Sequence, residues 1–311
     1  MASITLTDQP LKIHVTQPLT TAGMLARAIL CGLKRPSGNV DSSQPLKRII
    51  VRQDQVTLEA DRIELFRQCC KFDGQTGGVP LPFPETYFTP LMAQAMVAPE
   101  FPLSPVGIIH MYQRVTQHKP LEPGQSYNSC CELTEMRSTD LGVECDFDMQ
   151  LTRGDELHWS GLGTMLSRSR KKSGRSVRQK ETDGADGPAL PSNTAQVSSD
   201  LGRRFAKASG DYNPIHLWKW TAMPMGFSRP IAHGMWTFSR VLGMALASTN
   251  ADQSVTAEAY FKRPLFLPGT VQISTEVLNI QHDSSAVAVQ DAETGTPHLT
   301  GQVAVSDRQL S

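Results

Sequence analysis

No stretch of this 311-residue chain stays apolar for the roughly 18 residues that a bilayer-crossing helix needs. Its beginning, "MASITLTDQPLKIH", has no basic start followed by an apolar core. A cytoplasmic protein without membrane attachment is therefore expected. Net charge is lacking as well: Lys and Arg total 30 and Asp and Glu total 30, so no global field draws the chain to nucleic acid or to an anionic surface. A small-molecule ligand is the default that remains. The cysteines show no C-x-x-C spacing, and two adjacent pairs, Cys69 with Cys70 and Cys130 with Cys131, suit a disulfide framework poorly in a chain of this size. Reduced, mostly buried thiols are expected.

What the chain does have is a break near its middle. Residues 167–194 are rich in charge, Gly, Ser and Pro and almost free of large apolar side chains, which predicts a flexible linker, basic between Arg168 and Lys180. The flanking halves share one order of features. In the second half, "RPIAHGMWTFSRVLGMALAS" places Met235, Phe238, Leu242, Ala245 and Leu246 at the spacing of a buried helix face, and alternating strand-like runs follow. In the first half, "PETYFTPLMAQAMVAP" precedes similar runs. "HMYQRVTQHKPLEPG" (110–124) parallels "AEAYFKRPLFLPG" (257–269), which points to a duplication and to paired α+β units. Residues 1–50 fit the repeat less well, and "TAGMLARAILCGLK" there reads as a short amphipathic helix without a readable role.

The chemistry gathers in "SGDYNPIH" (209–216) and "RPIAHG" (229–234). Gly210 and Pro214 break regular structure, so Asp211 and His216 belong on a loop, where an acid and an imidazole converging on one water share proton duty. Gly234 stands at the expected start of the helix, where unpaired N–H groups favour developing negative charge on a polarised carbonyl oxygen. That combination suits water addition to, or loss from, a conjugated C=C. Each piece alone has a blander reading: Asp-x-Asn-Pro as an Asx-turn with a proline stop, His216 or His233 as a satisfied core or capping histidine. The spacing of Asp211, His216 and His233 matches no common zinc arrangement, so no metal is expected. Ser209 lacks a nucleophile-elbow context.

These segments, "FAKASGDYNPIH" (205–216), "GFSRPIAHGM" (226–235) and "YFKRPLFLPGT" (260–270), resemble the MaoC-like (R)-specific enoyl-thioester hydratases and dehydratases of the hotdog fold. The resemblance covers the C-terminal half well. It implies an α+β double hotdog, two long central helices each wrapped by an antiparallel β-sheet. The division is then a degenerate N-terminal hotdog with an extension (1–166), the linker (167–194) and a catalytic hotdog (195–311). It implies that Asp211 and His216 activate a water, that the Gly234 N–H holds the thioester oxygen and that Asn213 helps fix the loop. It also implies reversible hydration of trans-2-enoyl thioesters to (R)-3-hydroxyacyl thioesters in fatty acid metabolism, without a cofactor beyond the coenzyme A or acyl-carrier protein that bears the substrate.

Around that centre, His233, Arg229, Lys262 and Arg263 are candidate substrate contacts, the last three for carrier phosphates against ordinary surface charge. Trp218, with Trp220, Met223, Met225 and Phe227, is a candidate acyl-pocket wall against plain core packing. The N-terminal half departs from the active pattern: "FRQCCKFDGQTGGVPLPFP" holds no Asn-Pro-x-His, and Asp73 is its one obvious acid. One site per chain is expected, built by the C-terminal half and roofed by the other. A thioesterase on the same fold and a non-catalytic acyl-thioester-binding subunit stay open. So does the oligomeric state, a homodimer of double hotdogs being one outcome.

Overall fold

The computed structural model describes residues 2–17, 21–40, 45–75, 77–169, 190–279 and 282–306. The middle of the expected linker, 170–189, lies outside the described residues, and its two ends are strand rather than coil. The first half runs β1 (Ala2–Ile4), β2 (Leu6–His14), α1 (Thr21–Lys34), β3 (Leu46–Thr57), α2 (Ala60–Cys70), α3 (Glu85–Val97), β4 (Ile109–Gln117), β5 (Ser126–Thr139), β6 (Gly142–Arg153) and β7 (Glu156–Arg168). The second half runs β8 (Ser192–Val197), α4 (Leu201–Ser209), the one-turn α5 (Lys219–Ala222), α6 (Gly234–Ala245), β9 (Ser254–Phe261), β10 (Gly269–Ser274), β11 (Ser284–Asp291) and β12 (Pro297–Ser306).

Hydrophobic period explains both kinds of element. Along β11, Ser285, Val287 and Val289 are buried while Ala286 points outward, the period-two pattern of a sheet with one covered face. Along α6, Phe238, Leu242 and Ala245 are fully buried at three-and-four spacing, and Phe88, Leu91, Met92 and Ala95 repeat that on α3. Each large apolar side chain removed from water in this way contributes about 1.5–3 kcal/mol.

The strands form one sheet in the order β2-β3-β5-β6-β7-β4-β9-β12-β11-β10-β8. From its middle outward the order is mirrored: β4-β7-β6-β5-β3 on one side, β9-β12-β11-β10-β8 on the other. Two copies of one unit, each a curved antiparallel sheet around one helix, thus meet edge to edge at β4 and β9. Arg114 lies opposite Glu258 and Tyr112 opposite Tyr260 at that seam, and the Tyr112 hydroxyl donates to Glu258 Oε2 at 2.6 Å. The stretches that looked duplicated in sequence are the two strands that pair there.

Residues 1–50 extend the sheet. β1 pairs with β5, and β2 pairs with β3 in parallel, an exception to the antiparallel pattern expected. Just past α1, Arg35 donates to the carbonyls of Met96 and Ala98, each at 2.9 Å, so a cation meets the orphan carbonyls at the negative end of α3. The extension holds the far end of the N-terminal helix in place.

Candidate active site

A ladder of short-range hydrogen bonds builds the loop that carries Asp211. Helix α4 ends at Gly210, left-handed at φ +82°, whose N–H reaches Ala206 O at 2.8 Å. The Asp211 N–H then donates to Ser209 Oγ at 3.2 Å, the Asn213 N–H to Asp211 Oδ1 at 3.1 Å, and the Ile215 N–H to Asn213 Oδ1 at 3.4 Å. Pro214 opens a 3-10 turn that delivers His216. The Asx-turn and the reactive cluster are therefore not rival readings of this stretch. One arrangement serves both, because the carboxylate that caps the turn keeps its second oxygen for other contacts.

Three separated segments are tied together around this loop. The Ile231 N–H donates to Ile215 O at 3.1 Å, Ala232 N–H to Leu265 O at 2.8 Å, and Leu267 N–H to Pro230 O at 2.8 Å. His216 Nδ1 lies 2.8 Å from Ile231 O; a carbonyl only accepts, so Nδ1 carries the hydrogen and Nε2 presents a lone pair. His233 Nε2 donates to the Asp211 carbonyl at 3.0 Å and lies 3.8 Å from Asp211 Oδ2. The ring of His233 sits between those of Phe205, at 4.9 Å, and His216, at 3.7 Å.

The electrostatics follow from enclosure. Burial lowers the His216 pKa against the opposing pull of Asp211, and burial followed by the neighbouring His216 lowers His233 to about 3. Both rings are neutral near pH 7. The Asp211 side chain, by contrast, is 30% exposed and open to a small molecule. Helix α6 starts at Gly234 with no side chain capping its first turn, so its leading N–H groups face the same region. A Cβ built on Gly234 would lie 3.0 Å from the Phe261 ring, which explains why the position carries none.

Asp211, His216 and His233 thus converge, their ligand-type atoms all within 4.8 Å of one another, with Gly234 adjoining and Asn213 bracing the loop. His216 Nδ1 and His233 Nε2 each donate to a carbonyl, which leaves His216 Nε2 and His233 Nδ1 as the ring nitrogens with a lone pair. The other candidates lie outside the cluster. Arg229 is exposed, donating to Pro268 O at 3.2 Å, and Lys262 and Arg263 are exposed just beyond Phe261. Trp218 is 43% exposed beneath the Arg203 guanidinium and so is not part of the packed core. Trp220, Met223 and Met225 are exposed with it.

Sequence reasoning also missed two residues, both from the N-terminal half. The acid that half brings to Asp211 is Glu85, the first residue of α3, and not Asp73, which borders a separate surface depression with Arg67 and Lys71. His110 on β4 packs 4.7 Å from the Phe261 ring and feels the Asp211 charge, and burial lowers its pKa to about 4. The available signal for Glu85 was an acid opening an apolar helix where the other half opens on Gly234.

A mirrored pair of helix-wrapping sheets with one acid and histidine loop between them defines a double hotdog with a single candidate centre. Residues 182–297 match the family described as MaoC like domain. The chain is 33% identical over 110 residues to the (R)-specific enoyl-CoA hydratase of Aeromonas caviae, covering 32% of this chain and 79% of that protein. It is 27% identical over 228 residues to the 3-hydroxyacyl-thioester dehydratase X of Mycobacterium tuberculosis, covering 72% of this chain and 78% of that one. Among solved structures, that of HtdX from the same organism superposes with a TM-score of 0.69 at 21% identity, covering 83% of this chain and all (100%) of that one, which shows a shared fold. The chain belongs to the MaoC-like family.

Proposed function

We propose that this protein is a lyase that reversibly adds water to a trans-2-enoyl thioester, giving the (R)-3-hydroxyacyl thioester. The observation that carries the reading is the convergence of two hydrogen-bond acceptors, the Asp211 carboxylate and His216 Nε2, beside the uncapped start of α6. A water donating to both acceptors has its oxygen lone pair free to attack C3. Asp211 takes one proton as the C3–O bond forms, and the π electrons move through C2 onto the thioester oxygen. The N–H of Gly234 and the positive end of α6 stabilise that charge. Return of the proton from Asp211 to C2 completes the addition, and dehydration is the same path reversed. His233 holds Asp211 from behind through its backbone carbonyl. The names of both relatives, a hydratase and a dehydratase of thioesters, support this assignment.

The exposed cations Arg229, Lys262 and Arg263 flank the segments that carry Gly234 and Phe261, and they are proposed to meet the phosphates of coenzyme A or of a carrier-protein arm. The test is the absorbance of the enoyl-thioester band with crotonyl-coenzyme A and with a longer enoyl chain. Loss of the band without free thiol is expected, with Asp211→Asn slower by about 10²–10⁴-fold. Thiol release would make the protein a thioesterase, and binding without turnover would make it a non-catalytic subunit.

A further inference from the structure

The half of the chain without the Asn-Pro-x-His motif is not a bare roof. Its helix α3 begins with Glu85, whose side chain is only 4% exposed. The helix start is bound to the reactive loop by Arg62 of α2, which reaches Thr86 Oγ1 at 3.4 Å, donates to Ser209 O at 3.1 Å and lies 4.5 Å over the Tyr87 ring. Ser209 in turn accepts the Asp211 N–H, so Glu85 and Asp211 belong to one hydrogen-bonded corner between the halves.

The start of α3 favours negative charge at Glu85, but the rest of its enclosure does not suit an anion. Among the described residues its carboxyl receives one hydrogen bond, from Thr89 Oγ1 at 3.2 Å. One such bond does not offset the cost of taking a carboxylate out of water. The cation nearest the corner, Arg62, is engaged by Thr86, Ser209 O, the Tyr87 ring and Glu59 at 3.9 Å. Arg35 binds the opposite end of α3. β5 presents Cys131, a thiol raised by burial, and β4 supplies His110, which is neutral. β3 and β6 add apolar side chains to the same core, Val51 and Phe147 among them. His216 and His233 across the cluster are neutral too. Asp211 is the remaining charge, and it is negative.

We infer, resting on the hydratase reading, that Glu85 is a positioning residue: a protonated carboxyl beside Asp211 that keeps the negative charge of the cluster on the base. Two carboxyl groups in one enclosed site share a charge unequally, and here burial assigns the proton to the more enclosed acid. Burial, with the Asp211 charge adding to it, raises the Glu85 pKa to about 8. Ionisation above that pH would place a second negative charge close to where an enolate must form.

The experiment is the pH profile of kcat/KM for crotonyl-coenzyme A hydration by the full chain, each variant normalised to its own neutral plateau. The unaltered protein should lose about tenfold per pH unit above a midpoint near the Glu85 value. Glu85→Gln, permanently neutral and nearly isosteric, should lose that limb. Thr89→Val, which deletes the bond favouring the ionised form, should move the midpoint upward, and it serves if Glu85→Gln does not fold. A midpoint unmoved in folded variants overturns the inference. A second readout is independent of turnover. A carboxyl whose folded pKa is raised contributes stability at low pH that is lost as pH rises through the folded pKa; above about pH 6.5, where the buried histidines no longer change protonation, the thermal midpoint should therefore fall toward pH 8, and less so in Glu85→Gln. Equal slopes in both proteins would overturn the inference even if no enoyl thioester is a substrate; absent turnover with unequal slopes would sink only the hydratase reading.

Discussion

The imidazoles of His216 and His233 lie face to face, with centroids 3.7 Å apart and 27° between planes. The pair divides its labour by hydrogen bonding: His216 faces Ile231 O and keeps Nε2 open, whereas His233 spends Nε2 on the Asp211 carbonyl. Replacing His233 with Gln should weaken that carbonyl contact and remove the stack. A stability loss of about 1–3 kcal/mol is expected, with turnover reduced less than in Asp211→Asn. Denaturant unfolding and initial rates on the same samples check this; a larger kinetic defect than in Asp211→Asn would give His233 the proton-transfer role.

Acid sensitivity follows from the same burial. A histidine whose folded pKa is depressed binds fewer protons folded than unfolded, so stability rises with pH between the folded value and the ordinary value near 6.5. For His233 that window extends down to about 3, and for His110 to about 4. Stability should therefore fall as pH drops below about 6.5, by up to about 1.4 kcal/mol per unit for each such histidine. Thermal midpoints measured at successive pH values, with His110→Gln for comparison, read the slope. A variant with the slope of the unaltered protein would contradict the assignment for His110.

Gly234→Ala would set a methyl 3.0 Å from the Phe261 ring, so either the ring or the helix start must shift. A tenfold or so loss of kcat is expected, because the leading N–H groups of α6 are placed by that contact. Adding Phe261→Ala should recover part of the loss. No recovery would mean that the new methyl blocks the substrate itself.

Helix α4 approaches the loop so closely at Gly202 that a Cβ there would lie 1.9 Å from His216 O. Gly202→Ala should cost about 1–3 kcal/mol and displace His216, lowering turnover although residue 202 contacts no substrate. Differential scanning calorimetry with rate measurements tests both effects. An alanine variant with unchanged stability would show that the α4 backbone can withdraw.

Elements whose information is local were legible in sequence. The apolar faces of α3 and α6, the alternation along β11 and the Pro-Leu and Pro-Gly punctuation of the repeat each depend on contacts that recur every two to four residues. The loop from Ser209 to His216 is of the same kind, since its bonds run between residues two apart. The exposure of Trp218 was not legible, because a Trp and Met run has the same composition whether it packs inward or caps a surface.

By itself the sequence determined the two-unit plan, the acid and imidazole of the loop, and the helix start that faces them. Only the tertiary structure decided which atoms of His216 and His233 are free, and which acid from the other half stands beside Asp211. Glu85 is tied to that corner through the packing of α2 against α4 and through Arg62 of α2, which reaches both Thr86 and Ser209, segments far apart in the chain, and no pattern of neighbours in sequence records such a meeting. Burial then sets the proton on Glu85 and keeps the histidines neutral, since the cost of a buried charge depends on everything packed around it.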